Sequence, residues 1–225
     1  MAPAVDLSVS TDPSAAASAA AAHIAHAARS AIAKRGEFRV AFSGGTTPTL
    51  LFRALALESL DWPLVHVWQV DERVAPDGDP VRNALDLQTE LLQPVHAVPR
   101  NIHLMDVTAT DLDAAAARYA AIVDGFDIVH LGLGDDGHTA SWPPDQPAVL
   151  DVEALVTMTA PFRNHRRMTL TPRAVGRARQ VLWLVCGAEK QAALARLMAG
   201  DASQPAHRAF DHRSMIFTDR AATPT

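Results

Sequence analysis

Eight short apolar runs, most of them separated by helix-like stretches, set the strongest limit on what this chain can fold into. They are FRVAF (38–42), VHVWQV (65–70), NIHLM (101–105), DIVHLGL (127–133), ALVTMT (154–159), RMTLT (167–171), VLWLVCG (181–187) and SMIFT (214–218). Helical patterns lie near 48–59, 82–93, 110–123 and 188–199, with Thr110 or Asp111 to cap the third and Gly200 to end the last. Strands that are apolar on both faces and alternate with helices predict an α/β fold with a mainly parallel sheet covered by helices on both sides. At 225 residues, with no internal repeat or long linker, one domain over residues 1–225 is expected.

The Ala-rich stretch 14–33 has no basic region before it and carries His23, His26 and Arg29, so it reads as a helix rather than a secretion leader. Asp12 supplies a cap, Pro13 suits the first turn, and Ile24, Ala27, Ala28 and Ala31 form a shallow apolar stripe. The 37 residues before the first apolar run have room for one helix. No run approaches the roughly 18 apolar residues of a membrane span. A net charge of −5 offers no basic field for nucleic acid, so an anionic ligand would need a local cationic cluster. The single cysteine, Cys186, excludes an intramolecular disulfide and reads as a buried core thiol, which fits a cytoplasmic location.

In a parallel sheet the ligand crevice lies beyond the carboxyl ends of the strands, so the loops that leave them carry the chemistry. Ser43-Gly44-Gly45-Thr46-Thr47-Pro48 joins a strand to a helix and suits an anion cradle of backbone N–H groups, or a plain tight turn. It is not a Walker A loop, because no GxxxxGK[ST] is present. Asp71-Glu72-Arg73 places a guanidinium at the sheet mouth, either to grip an anion or to form a surface ion pair.

LGLGDDGHTAS (131–141) has the GxGxxG spacing of a dinucleotide loop. However, Asp135 and Asp136 would oppose a pyrophosphate, Pro143 and Pro144 bar a long helix, and no ribose-binding acid follows. What remains is a permissive loop presenting Asp136 and His138, a side chain that can exchange protons near neutrality. His130 reads as a packed strand residue, and His23, His26 and His96 as surface or helix positions. No HExxH or Cys/His cluster points to a metal, and Ser141 is not in a GxSxG elbow.

SGGTTP, DER, GLGDDGHTASWPP, RMTLTP, GAEK and DRAA, in that order over roughly residues 12–222, resemble the 6-phosphogluconolactonase family. The resemblance implies the glucosamine-6-phosphate isomerase/ribose-5-phosphate isomerase/CoA transferase-like fold. It also implies hydrolysis of 6-phospho-D-glucono-1,5-lactone with no cofactor and no metal. By motif it makes His138 the general base and sets Asp71 and Arg73 beside the reacting sugar; the chemistry of these parts then leaves either Asp71 or Asp136 to orient the imidazole, and Arg73 or loop N–H groups to stabilise the oxyanion. Ser43, Gly44, Gly45, Thr46 and Thr47, with Asn83, Arg167 and Lys190, would hold the phosphorylated substrate. The expected partner is a small sugar phosphate, with neither nucleic acid nor membrane involved, bound to a monomer or small homo-oligomer.

Two stretches depart from the family pattern. APFRNHRRMTLT offers Arg163, Arg166 and Arg167 where one arginine after a proline-rich approach is usual, and the segment from Met198 to Ser214 is shorter and more polar. The related deaminases resemble DEY and an Asn-Glu-Pro triplet where this chain has DER and Trp142-Pro143-Pro144. A non-catalytic sugar-phosphate sensor is the alternative from another class.

Overall fold

A computed structural model describes residues 5–224. The helix opening the chain, α1 (Pro13–Arg35), starts where the Asp12 carboxylate accepts from the Ala15 N–H at 2.9 Å and stops at Gly36, whose φ of 82° is left-handed. Its buried face is almost wholly alanine (Ala16, Ala17, Ala20, Ala21, Ala25, Ala28), so the helix packs closely on its neighbours. Ahead of it, β1 (Asp6–Ser10) is a strand, which corrects the expectation of a single helix before residue 38. This edge strand escapes pattern reading because its burial is shallow: Leu7 and Val9 stay exposed.

The other strands of the main sheet are β2 (Phe38–Phe42), β3 (Val65–Gln69), β5 (Ile102–His103), β6 (Phe126–Leu131), β9 (Ala178–Val185) and β10 (Ser214–Asp219). They pair all in parallel in the order β1-β10-β9-β6-β2-β3-β5. The other α-helices among the described residues are α2 (Thr46–Ala56), α3 (Asn83–Leu87), α4 (Leu112–Ala121), α5 (Pro172–Val175) and α6 (Gln191–Met198). Asp111 caps α4 through the Ala114 N–H, and Gly200 turns the chain after α6 with φ of 79°. One apolar layer lies beneath α1 and α2, and a second lies beneath α4, α5 and α6, giving a three-layer α/β domain.

Two of the strand-like runs, 154–159 and 167–171, together with the DER segment expected as a loop after the second strand, form a separate sheet instead. DER (β4, Asp71–Arg73), β7 (Val156–Met158) and β8 (Arg167–Leu170) make a small antiparallel sheet in the order β4-β8-β7. Their apolar content comes from packing on the second core layer, where Met168 and Leu170 are fully buried, not from membership of the parallel sheet. Trp142, 0% exposed, pins the loop after β6 to this unit by donating its indole N–H to the Leu170 carbonyl at 2.7 Å.

The chain lays β2, β3 and β5 outward in one direction and then returns to place β6 on the other side of β2. The loops after β2 and β6 therefore leave neighbouring strands from the same edge, at the switch point where α/β sheets open a crevice.

Candidate active site

At that switch point Ser43 ties the two loops together: its N–H and hydroxyl both donate to the His130 carbonyl, at 3.2 and 3.1 Å. The chain then turns through Gly45 at φ 122°, and α2 begins at Thr46 with no side chain capping it. With Pro48 in the first turn, this uncapped helix start lines the crevice, an arrangement that favours an anion. Gly44 is required by close approach, since a Cβ there would lie 2.1 Å from Asn83 Oδ1.

Asn83 leads into the small sheet. Its amide donates to the Asp71 carbonyl (2.9 Å) and carboxylate (3.2 Å), and its Oδ1 accepts from Arg73 at 2.7 Å. Behind these side chains, fully buried Glu72 accepts from the backbone N–H groups of Arg73, Asn83 and Ala84 and from Gln69, all at 2.8–2.9 Å, and pairs with Arg82. A buried carboxylate satisfied this fully fixes the loop, because any displacement would leave the charge unsolvated. On the opposite strand, Arg167 is the register partner of Arg73. Like charges directly opposite are unfavourable in a strand pair, so this pairing suits an anion held between them. Asp71 lies 3.7 Å from Arg167, and burial lowers the pKa of that guanidinium while Asp71 raises it.

The loop after β6 holds the third component. Gly137, at φ 87°, lets the chain fold back, and the Gly134 N–H donates to the His138 carbonyl at 2.8 Å. A Cβ on Gly134 would lie 2.0 Å from His138 Nδ1, so only glycine leaves room for the ring. His138 Nδ1 sits 2.5 Å from Asp136 Oδ1, which also accepts the His138 backbone N–H at 3.0 Å. Burial pushes the His138 pKa down, the Asp136 hydrogen bond and charge pull it back up, and the net direction is downward. Burial also opposes ionisation of Asp136, yet the N–H and ring of His138 hold that carboxyl below its ordinary value. Burial thus favours the neutral imidazole, and a ring that gives its Nδ1–H to the Asp136 carboxylate keeps Nε2 free of that contact.

These parts line one open cavity of about 340 Å³. Ser43, Gly44, Gly45, Thr46, Thr47, Asp71, Arg73, Asn83, His138, Arg167 and Lys190 all reach it, and Asp136 stands behind His138. Asp71 makes no hydrogen bond to the imidazole; its carboxylate accepts from Ser141 at 2.6 Å and from Asn83. Of the three arginines in FRNHRR, Arg163 and Arg167 line the cavity while Arg166 is exposed outside it.

Sequence reasoning missed Glu72, Ser141 and Asp219 as organisers. Asp219, from DRAA, accepts from the Gly187 N–H at 3.1 Å and so shapes the loop that carries Lys190. The signal available was the motif position of each. Nothing local distinguishes a buried carboxylate from a solvated one. The shorter segment before β10 also matters here, since buried Gln204 packs against Gly137 and the Ala206 N–H donates to its carbonyl. Among the described residues, no group of three or more His, Cys, Asp or Glu side chains could hold a metal ion.

The family model described as glucosamine-6-phosphate isomerases/6-phosphogluconolactonase matches residues 11–217. A GDH/6PGL endoplasmic bifunctional protein of Oryctolagus cuniculus is 40% identical over 76% of this chain, which spans only 23% of that relative's length. A 6-phosphogluconolactonase of Synechocystis is 38% identical, with 76% of each chain covered. Among solved structures, a 6-phosphogluconolactonase from Shewanella baltica superposes with a TM-score of 0.87 at 27% identity, covering 97% of this chain and 99% of that one.

Proposed function

The chain belongs to the glucosamine-6-phosphate isomerase/6-phosphogluconolactonase family, and from that premise we propose that it is an enzyme that hydrolyses 6-phospho-D-glucono-1,5-lactone to 6-phospho-D-gluconate, the second step of the oxidative pentose phosphate pathway. The observation that carries this reading is a partly buried histidine, hydrogen-bonded to Asp136, in the same cavity as Arg73, Arg167, Lys190 and an uncapped helix start. One side of the cavity suits proton transfer and the other suits a dianionic phosphate.

His138 Nε2 takes a proton from water as the oxygen bonds to the lactone carbonyl carbon. Negative charge then develops on the carbonyl oxygen, where Arg73 or loop N–H groups donate hydrogen bonds. The tetrahedral intermediate collapses by breaking the bond from carbon to ring oxygen, and the imidazolium returns its proton to that oxygen as it leaves. Asp136 stabilises the transient imidazolium and holds the ring in the useful tautomer. Arg167, Lys190 and the 43–47 loop bind the remote phosphate, so that its binding energy orients the carbonyl against the water. No step needs a metal or cofactor. The reading places the enzyme in the cytoplasm as a monomer or small homo-oligomer.

His138→Asn tests the assignment. Loss of acid–base help is expected to lower kcat/KM for the lactone on the order of 10²–10⁴-fold with the folded state retained, measured by a coupled assay corrected for spontaneous hydrolysis. Wild-type turnover in this variant would sink the assignment. Ammonia release from glucosamine 6-phosphate would instead favour the deaminase branch of the family.

A further inference from the structure

The mechanism above makes no use of the hairpin Phe162–His165, although it leans directly on the histidine. Its two ends exchange hydrogen bonds, Phe162 N–H to His165 at 2.9 Å and the reverse at 3.3 Å, across a two-residue turn. Both turn residues, Arg163 (φ 47°) and Asn164 (φ 71°), are left-handed, the signature of a type I′ turn. Arginine is a poor choice for the first of these positions, where Asn, Asp or Gly is usual. What that residue gains is contact. Arg163 Nη2 lies 3.2 Å from Asp135 Oδ1 and 3.4 Å from Asp136 Oδ2, the oxygen left over when Oδ1 takes the His138 ring. The neighbouring Phe162 ring packs edge-on against His138 at 5.2 Å and lies beneath the Arg163 and Arg167 guanidinium groups at 5.4 and 5.1 Å.

We propose that Arg163 is a positioning residue: from the tip of this hairpin it clamps Asp136 in the orientation that presents Oδ1 to His138. The proposal rests on His138 being the base. Arg163 acts on two levels. Its second contact to Asp136 removes the carboxylate's freedom to rotate away from the ring, and its positive charge disfavours a second cation nearby, which works with burial and against Asp136 on His138. The other charged groups around the ring are Asp135 on its own loop, Asp71 and Arg73 on β4, and Arg167 on β8. Glu189 and Lys190 face it from the loop after β9. Of these groups only Asp135 and Asp136 pair with Arg163.

The experiment follows the His138 ring resonances through a pH titration of the full chain, in parallel with the pH profiles of kcat and KM. The proteins are wild type, Arg163→Ala, Arg163→Lys, Asp136→Asn and the Arg163→Ala/Asp136→Asn double variant; the His138→Asn spectrum identifies the signal. In Arg163→Ala the titration midpoint and the acid limb of kcat/KM are expected to move together to higher pH, with kcat down about two- to fivefold and KM nearly unchanged. Arg163→Lys, which keeps the charge, should restore most of the wild-type midpoint. In the Asp136→Asn background, removing Arg163 should have little further effect on kcat. Because Arg163 is half exposed, about 1 M salt should move the wild-type midpoint toward that of Arg163→Ala.

An unmoved titration with a raised KM would mean that Arg163 serves the substrate directly, and would overturn the proposal. So would an unchanged enzyme, or full additivity with Asp136→Asn. The resonance titration reports on the clamp whether or not His138 is the base, whereas full activity in His138→Asn would remove the base assignment itself, so the two failures are separable.

Discussion

His130 and His138 stand on one strand and the loop that leaves it, and they are used in opposite ways. His130, on β6, is 0% exposed, neither ring nitrogen has a hydrogen-bond partner among the described residues, and burial pushes its pKa down to about 3. His138 is also lowered by burial, but Asp136 pulls against that effect, and the ring opens into a cavity lined by cations. A histidine in a dry layer without an acid partner stays neutral through the physiological range and can only pack. One whose desolvation is opposed by a carboxylate can take up a proton and give it back. Residue type is shared, and environment decides the chemistry.

The comparison breaks most visibly at Gly134. Because a Cβ there would overlap the His138 ring and approach Asp136 Oδ1 at 2.6 Å, Gly134→Ala must displace the pair. A displacement of roughly 1 Å is expected to lower kcat about 10²-fold while far-ultraviolet circular dichroism stays native. Retention of kcat would show that the ring geometry is not what matters.

A smaller effect separates the two histidines by pH. Only neutral His138 can accept a proton, so kcat/KM should be level near neutrality and fall about tenfold per pH unit below a midpoint lower than that of an ordinary histidine. A profile with its midpoint above the ordinary histidine value would contradict the balance described for this site.

The smallest expected change comes from removing His130. Its folded pKa is depressed, so the unfolded chain binds more protons. The stability tied to its neutral form is complete above the ordinary histidine range and is lost as pH falls from there toward about 3. His130→Leu replaces two unpartnered buried nitrogens with apolar atoms and should change stability by no more than about 1 kcal/mol at pH 7. Its advantage over wild type should widen below pH 6.5 in urea unfolding, with lactone turnover unchanged. A loss of stability at acidic pH would mean that the ring has partners in solution.

Much of this molecule was legible along the chain because the signals are local. Alternating apolar runs and helices announced the parallel sheet, Asp12 and the Thr110-Asp111 pair marked helix starts, with Asp12 and Asp111 making the reach to the third N–H, and glycine with the DDGH run marked a crevice loop. The antiparallel sheet was not legible, because the pairing of Arg73 with Arg167 joins strands far apart in sequence, and each strand is too short to declare its partner. Glu72 looked like one charge among three in DER until the fold closed four hydrogen bonds around it.

The sequence by itself determined the layer architecture, the edge at which ligand chemistry must sit and the histidine on that edge. Periodicity, capping and glycine conformations act over a few residues and need no partner. Only the tertiary structure decided that Asp136 rather than Asp71 touches the imidazole, that Arg163 and Arg167 turn inward while Arg166 turns out, and that His130 stays dry. Hydrogen-bond partners and desolvation depend on which distant segments are brought within a few ångströms, and that distance is set by packing of the whole chain.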